Sequence, residues 1–255
     1  MRFPLFFAVC LLAGLPLSQA LAEAPAPDFS AVVREALLDG RLTEEDGLLE
    51  VFRFAFNPAA VRADLSPESA GPIKCLTPSV LEFERMREAM SPAAAAEVEG
   101  YLSRAPVVGK TASMTYDSPA GLFRLTYETS GQHAPPQNDV DPANGVPDYV
   151  EWVAAYCDSS WRREIDGLGF HAPALNVGEL YPISFQNMGA YGFTVSLGHG
   201  RSRIVIENDF AGFPSNQDPE GSQKGAAKVT VAHEFKHASQ MNTTGAMNMG
   251  GWVEL

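Results

Sequence analysis

KGAAKVTVAHEFKHASQMN, residues 224–242, is the stretch whose reading decides what this chain builds. Its spacing predicts a helix. At its centre His233-Glu234-Phe235-Lys236-His237 is an H-E-x-x-H string. Residues four apart share a helix face, so both imidazoles point the same way, close enough to take two of the four positions of one Zn²⁺. Glu234 falls about 100° round the helix from His233, within reach of a water on that metal without being a ligand. This is the arrangement of a zinc metallohydrolase with Glu234 as its general base. With His233 at 0°, His237 falls at about 40°, whereas Val231, Phe235 and Ala238 fall near 140–200°. The helix therefore has an apolar back for packing and a front for the metal. Gln240 lies near the histidine face, where it either orients an imidazole or meets solvent.

Two histidines do not make a catalytic zinc site, which needs a third protein ligand and one open position. Glu254, in Gly250-Gly251-Trp252-Val253-Glu254-Leu255, is the candidate. A helix starting after Gly251 would aim it back at the first helix. The alternative, a histidine six residues beyond His237, fails because position 243 is Thr. The sequence stops one residue after Glu254. A ligand on a frayed end would be poorly held, so the catalytic region is expected to be truncated at its C-terminus, with the far wall of the cleft beyond Leu255.

The chain resembles a group of bacterial secreted zinc metallopeptidases of gluzincin type. The matching strings are Asn144-Gly145-Val146-Pro147-Asp148-Tyr149-Val150-Glu151, His233-Glu234-Phe235-Lys236-His237-Ala238-Ser239-Gln240 and Trp252-Val253-Glu254-Leu255, with Leu38-Asp39-Gly40-Arg41-Leu42 upstream. The resemblance implies peptidase activity, with His233, His237 and Glu254 on zinc, Glu234 as base and a protein or peptide as substrate. Lys236 departs from the uncharged residue common at that place, but its stem can follow the helix and carry the amine to water. In this group a D-x-N-x pattern near N-G-V-P-D suggests a calcium loop. Here Asp139, Asp141, Asn144 and Asp148 offer hard oxygen ligands for Ca²⁺. Their spacing is not that of an EF-hand, and an acidic turn capping the next helix explains them equally well.

The first 22 residues read as a cleavable secretory signal: Arg2, an apolar run from Leu5 to Leu17, and Ala20-Leu21-Ala22 as the cleavage site. The run is too short to span a membrane. A secreted or periplasmic protein beginning near Glu23 is expected. Cys10 leaves with the signal, and the remaining Cys75 and Cys157 suggest one disulfide in an exported chain. The formal charge of −13, or −14 once Arg2 is lost, argues against nucleic acid and anionic membranes as partners.

Periodicity divides the rest. Residues 23–105 read as a helical N-terminal region: Asp28 caps one helix, Thr43 opens a second with a T-x-x-D start, and Thr77-Pro78 and Ser91-Pro92 each read as N-cap plus proline. A pro-segment covering the active site and a plain structural domain are both open for it. Residues 106–255 read as a zincin-like metallopeptidase domain. Ala112–Tyr116 and Leu122–Glu128 form a hairpin, Pro147 starts a helix ending near Gly167, and Leu180–Phe185 and Arg203–Glu207 are strands. The fold class is α+β, a small mixed sheet plus an active-site helix, with Arg203–Glu207 expected at the edge where substrate backbone could add. His133, His171 and His199 sit in Gly- and Pro-flanked loops and read as surface residues. Neither Tyr191 nor His199 is singled out as an oxyanion partner. The rival to an enzyme is a non-catalytic exported binding or surface protein whose metal site is inert or structural.

Overall fold

The computed structural model describes residues 26–103 and 113–244. The signal, the end of the N-terminal region and the Gly250–Leu255 string with Glu254 therefore lie outside the described residues. Four helices come first: α1 (Phe29–Leu38), α2 (Glu44–Phe56), α3 (Thr77–Met86) and α4 (Pro92–Leu102). Their starts follow side-chain chemistry. Asp28 accepts from the Ala31 amide, and Ser91 from that of Ala94. Thr43 and Asp46 form a complete capping box, worth about 1 kcal/mol. Gly40, at φ +69°, makes the left-handed turn that leaves α1.

The hairpin β1 (Ser113–Asp117) and β2 (Phe123–Glu128) follows, then α5 (Asp148–Trp161), β3 (Tyr181–Gln186), β4 (Gly192–Gly198), β5 (Arg201–Glu207) and α6 (Ser222–Thr244). The five strands form one sheet in the order β1-β2-β3-β5-β4. β2, β3 and β5 run parallel, and β1 and β4 are antiparallel to their neighbours at the two edges. The class is thus α+β with a mixed sheet. One expectation is corrected: Arg203–Glu207 is not an edge. It lies inside the sheet as β5, bonded to β3 on one side and β4 on the other, as its central Ile204-Val205-Ile206 suits. The edge on this side is β4, which its glycines at 192 and 198, with Gly189 just before it, disguise as turn.

Strand alternation feeds two cores. Ile204 and Ile206 face α5 and α6, packing with Val150, Val153, Val231 and Phe235. Val205 and Phe193 point the other way and complete the core of α1–α4 around Phe29, Phe52 and Val80. The N-terminal helices thus share a core with the sheet. On the α6 side, the Phe235 ring meets Phe123 at 5.5 Å, Trp161 at 5.8 Å and Tyr181 at 6.3 Å between centroids. Removing that ring would cost about 3–5 kcal/mol. The packing fixes the rotation of α6 about its axis, and so fixes where its other face points.

Candidate metal centre

The wheel drawn from sequence holds at the back of α6: Val231, Phe235 and Ala238 are all buried. The front is buried too. Glu234 has no exposed surface and His237 has 1%. Gly192 allows this. A Cβ there would stand 2.8 Å from Thr230 Cγ2 and 3.1 Å from Glu234 Cγ, so only glycine lets β4 approach the helix this closely.

His233 and His237 face each other, with their Nε2 atoms 3.0 Å apart and their rings nearly perpendicular. His237 Nδ1 lies 3.1 Å from Gln240 Oε1. With Nε2 turned to a metal, Nδ1 carries the proton and donates to that amide oxygen, which fixes tautomer and ring. Gln240 therefore belongs to the site and is not simply solvated. Burial, and then the neighbouring His233, push the pKa of His237 down to about 4, against the pull of Gln240. It is neutral at pH 7, as a ligand must be.

Glu234 is held from three sides. Thr77 Oγ1 and Thr194 Oγ1 each donate to Oε2 at 2.8 Å, and Cys75 Sγ donates to Oε1 at 3.3 Å. Burial raises its pKa, while His233 and these three donors oppose the rise. Cys75 Sγ also stands 3.4 Å from His237 Nε2. Cys75, His233, Glu234 and His237 thus bring their ligand atoms within 4.8 Å of one another, the group among the described residues able to hold a metal. Its spacing is near that of a tetrahedral zinc set, in which N···N would be about 3.3–3.4 Å, against 3.0 Å here, and S···N about 3.5 Å, against 3.4 Å here.

Sequence reasoning missed Cys75, Thr77 and Thr194. The disulfide expectation is wrong: Cys75 and Cys157 are not joined. Cys157 is buried in the α5 core, which raises its pKa, while Cys75 faces the histidines. Thr77 is inside the first turn of α3 and caps nothing. Its hydroxyl goes to Glu234 and accepts the Thr194 amide at 2.8 Å. Glu254 lies outside the described residues.

The proposed calcium loop is held by its own hydrogen bonds. Asp139 accepts the amides of Asn144 and Gly145, Asn144 Oδ1 accepts that of Val146, and Asp148 Oδ1 accepts those of Val140 and Asp141. These oxygens cap a turn. Asp139, Asp141 and Asp148 do not gather into a cluster of three carboxylates. Of the remaining histidines, His171 and His199 are exposed, and His133 accepts the Asn187 amide. Lys236 places its amine over the Phe170 ring. Tyr191 lines a cavity of about 650 Å³ beside His233, together with Ala226, Val229 and Thr230.

Compared with known proteins, the chain matches no family model, no curated protein and no solved structure. Among the described residues no helix is long and apolar enough to cross a membrane.

Proposed function

We propose that the protein is a secreted zinc-dependent peptidase of zincin-like fold. The observation that carries this reading is the pair of Nε2 atoms 3.0 Å apart on one face of α6, with the Glu234 carboxylate in the same cluster. Imidazole and sulfur donors suit zinc better than a hard cation. The mixed sheet laid over the motif helix supports the fold. The resemblance of the H-E-x-x-H, N-G-V-P-D and W-V-E-L strings to secreted gluzincins, and the signal-like first 22 residues, support the setting.

Zinc, when bound, supplies Lewis acidity and brings the pKa of water to about 7. The chain's own residues do the rest. His233 and His237 hold the ion, and Gln240 holds His237. Glu234 takes the proton of the attacking water and gives it to the leaving amine. Glu254 is the proposed third ligand, a carboxylate beside the two imidazoles. The β4 edge can add an extended peptide by main-chain hydrogen bonds, and the cavity beside His233 takes a side chain of that peptide.

Zinc content and casein cleavage, measured for wild type and Glu234→Gln, test this. Stoichiometric zinc in both, with cleavage by wild type alone, is the expected result; equal cleavage removes Glu234 from catalysis. A second reading has one observation in its favour: Cys75 makes the cluster a four-donor Cys-His-His-Glu set, the number a closed structural site would use. In that case zinc removal lowers the melting temperature and neither protein cleaves casein.

A further inference from the structure

Resting on the peptidase reading, the geometry points to an occupant already in the cleft: Ile73–Thr77 lies on the β4 edge in place of substrate, and Cys75 Sγ binds the metal in place of the attacking water. In this state the chain is latent, and cleavage by wild type comes only from the minor fraction in which the site is open.

Ile73 N donates to Gly189 O at 2.9 Å, Tyr191 N to Ile73 O at 2.9 Å, and Leu76 N to Gly192 O at 3.0 Å. Ile73 and Ala190 form a parallel bridge. Thr194 N, on β4 itself, donates to Thr77 Oγ1. The segment thus takes up donors and acceptors along the outer edge at the start of β4, by the means an extended peptide would use.

A water activated by Glu234 must lie within hydrogen-bond reach of its carboxylate and beside the histidine nitrogens, at about 2.6–3.2 Å for the former. Cys75 Sγ is 3.3 Å from Glu234 Oε1 and 3.4 Å from His237 Nε2. One atom fills the place of the water and caps the base. The thiol binds metal as thiolate, and the proton it gives up has an acceptor in place at Glu234 Oε1.

Lys74 and Cys75 wall both the 650 Å³ cavity beside His233 and a second of about 580 Å³ against α1, α2 and α3. Ile73 and Leu76 are anchored in the core of α1–α4, so it is Lys74 and Cys75, between them, whose turning away would join the two cavities past the histidines.

The test uses the full chain loaded with Co²⁺, a spectroscopic stand-in for zinc. Wild type is expected to show a thiolate-to-cobalt charge-transfer band that Cys75→Ala and Cys75→Ser lack. Serine keeps the side chain's size and its hydrogen bond to Glu234, which guards against a folding artefact. Acetohydroxamic acid then probes the freed position. A state with Cys75 Sγ off the metal, populated at about 10% or less in wild type, predicts hydroxamate binding at least ~10-fold tighter in Cys75→Ala. Cobalt bound by wild type without the band overturns the inference, and so does equal hydroxamate binding. Failure of wild type to bind cobalt overturns both this inference and the peptidase reading. Casein cleavage by Cys75→Ala separates the two: band and hydroxamate results as expected, with no cleavage, leave the thiolate on the metal standing but overturn the peptidase reading and, with it, the latency.

Discussion

Two places in the sequence offer metal ligands, the acidic loop 139–148 and the front of α6, and they end in opposite conditions. The loop is richer in oxygens, yet its carboxylates are drawn to amides of their own turn. On α6 there are fewer groups, but two ring nitrogens point at each other and a sulfur points at one of them. A short acidic side chain in a tight turn finds N–H donors a few residues away. An imidazole in mid-helix finds no such donor, since the backbone amides around it are spent within the helix. Convergence of side chains, rather than abundance of acid, separates a site from a turn.

The sharpest way to break this comparison is to cut one group from each place. His237→Ala is expected to weaken zinc binding by more than ~100-fold, beyond the range seen for residues that only support a ligand. Asp139→Ala should leave zinc content unchanged. Equal losses, by metal analysis after dialysis, would erase the distinction.

Acid gives the next effect in the metal-free protein. The folded pKa of His237 is about 4, against 6.5 unfolded. Its contribution is fully present above about pH 6.5 and lost as pH falls towards 4, by about 3 kcal/mol at most. Glu164 and Glu207, pushed up to about 7 by burial, act with the opposite sign. They favour the fold at low pH and lose that contribution as pH rises from about 4.5 to 7. Urea denaturation of wild type minus His237→Ala isolates the histidine, and a difference independent of pH would refute it.

A smaller loss tests how firmly the α6 side is held. Gln240→Ala frees His237 Nδ1 of its 3.1 Å partner and should weaken zinc binding by about 10–100-fold. Unchanged affinity would show that the ring is set by packing alone.

Thr43 and Thr77 show how far such a site could be read beforehand. In sequence both are threonines at a helix start, and the first fills its capping box as expected. The second gives its hydroxyl to Glu234, 157 residues away. Local chemistry fixed the helix boundaries, the hairpin, and His233, Glu234, His237 and the buried back of α6, because each depends on neighbours a few residues off. Cys75, Thr77 and Thr194 reach the site only through tertiary pairing of Ile73–Thr77 with β4. That strand was hidden by its glycines, one of which is needed for the close approach of α6. No spacing rule in a single chain connects residue 75 to residue 237.

The smallest effect belongs to the loop. Asp148 Oδ1 accepts two amides, at 3.0 and 3.1 Å, from a carboxylate at the start of α5, and little of the residue is exposed. Asp148→Ala orphans the Val140 and Asp141 amides at a half-buried position. The loss should be about 1–2 kcal/mol in urea titration, the scale of hydrogen bonds to a charged acceptor. A negative charge in the first helical turn adds a few tenths more through the helix dipole. If the loop is a capped turn, millimolar calcium leaves the melting temperature of wild type and variant alike unchanged. A calcium-dependent rise in wild type that Asp148→Ala abolishes would mean that the oxygens exchange their amides for a cation, and the contrast with α6 would then be one of affinity, not of kind.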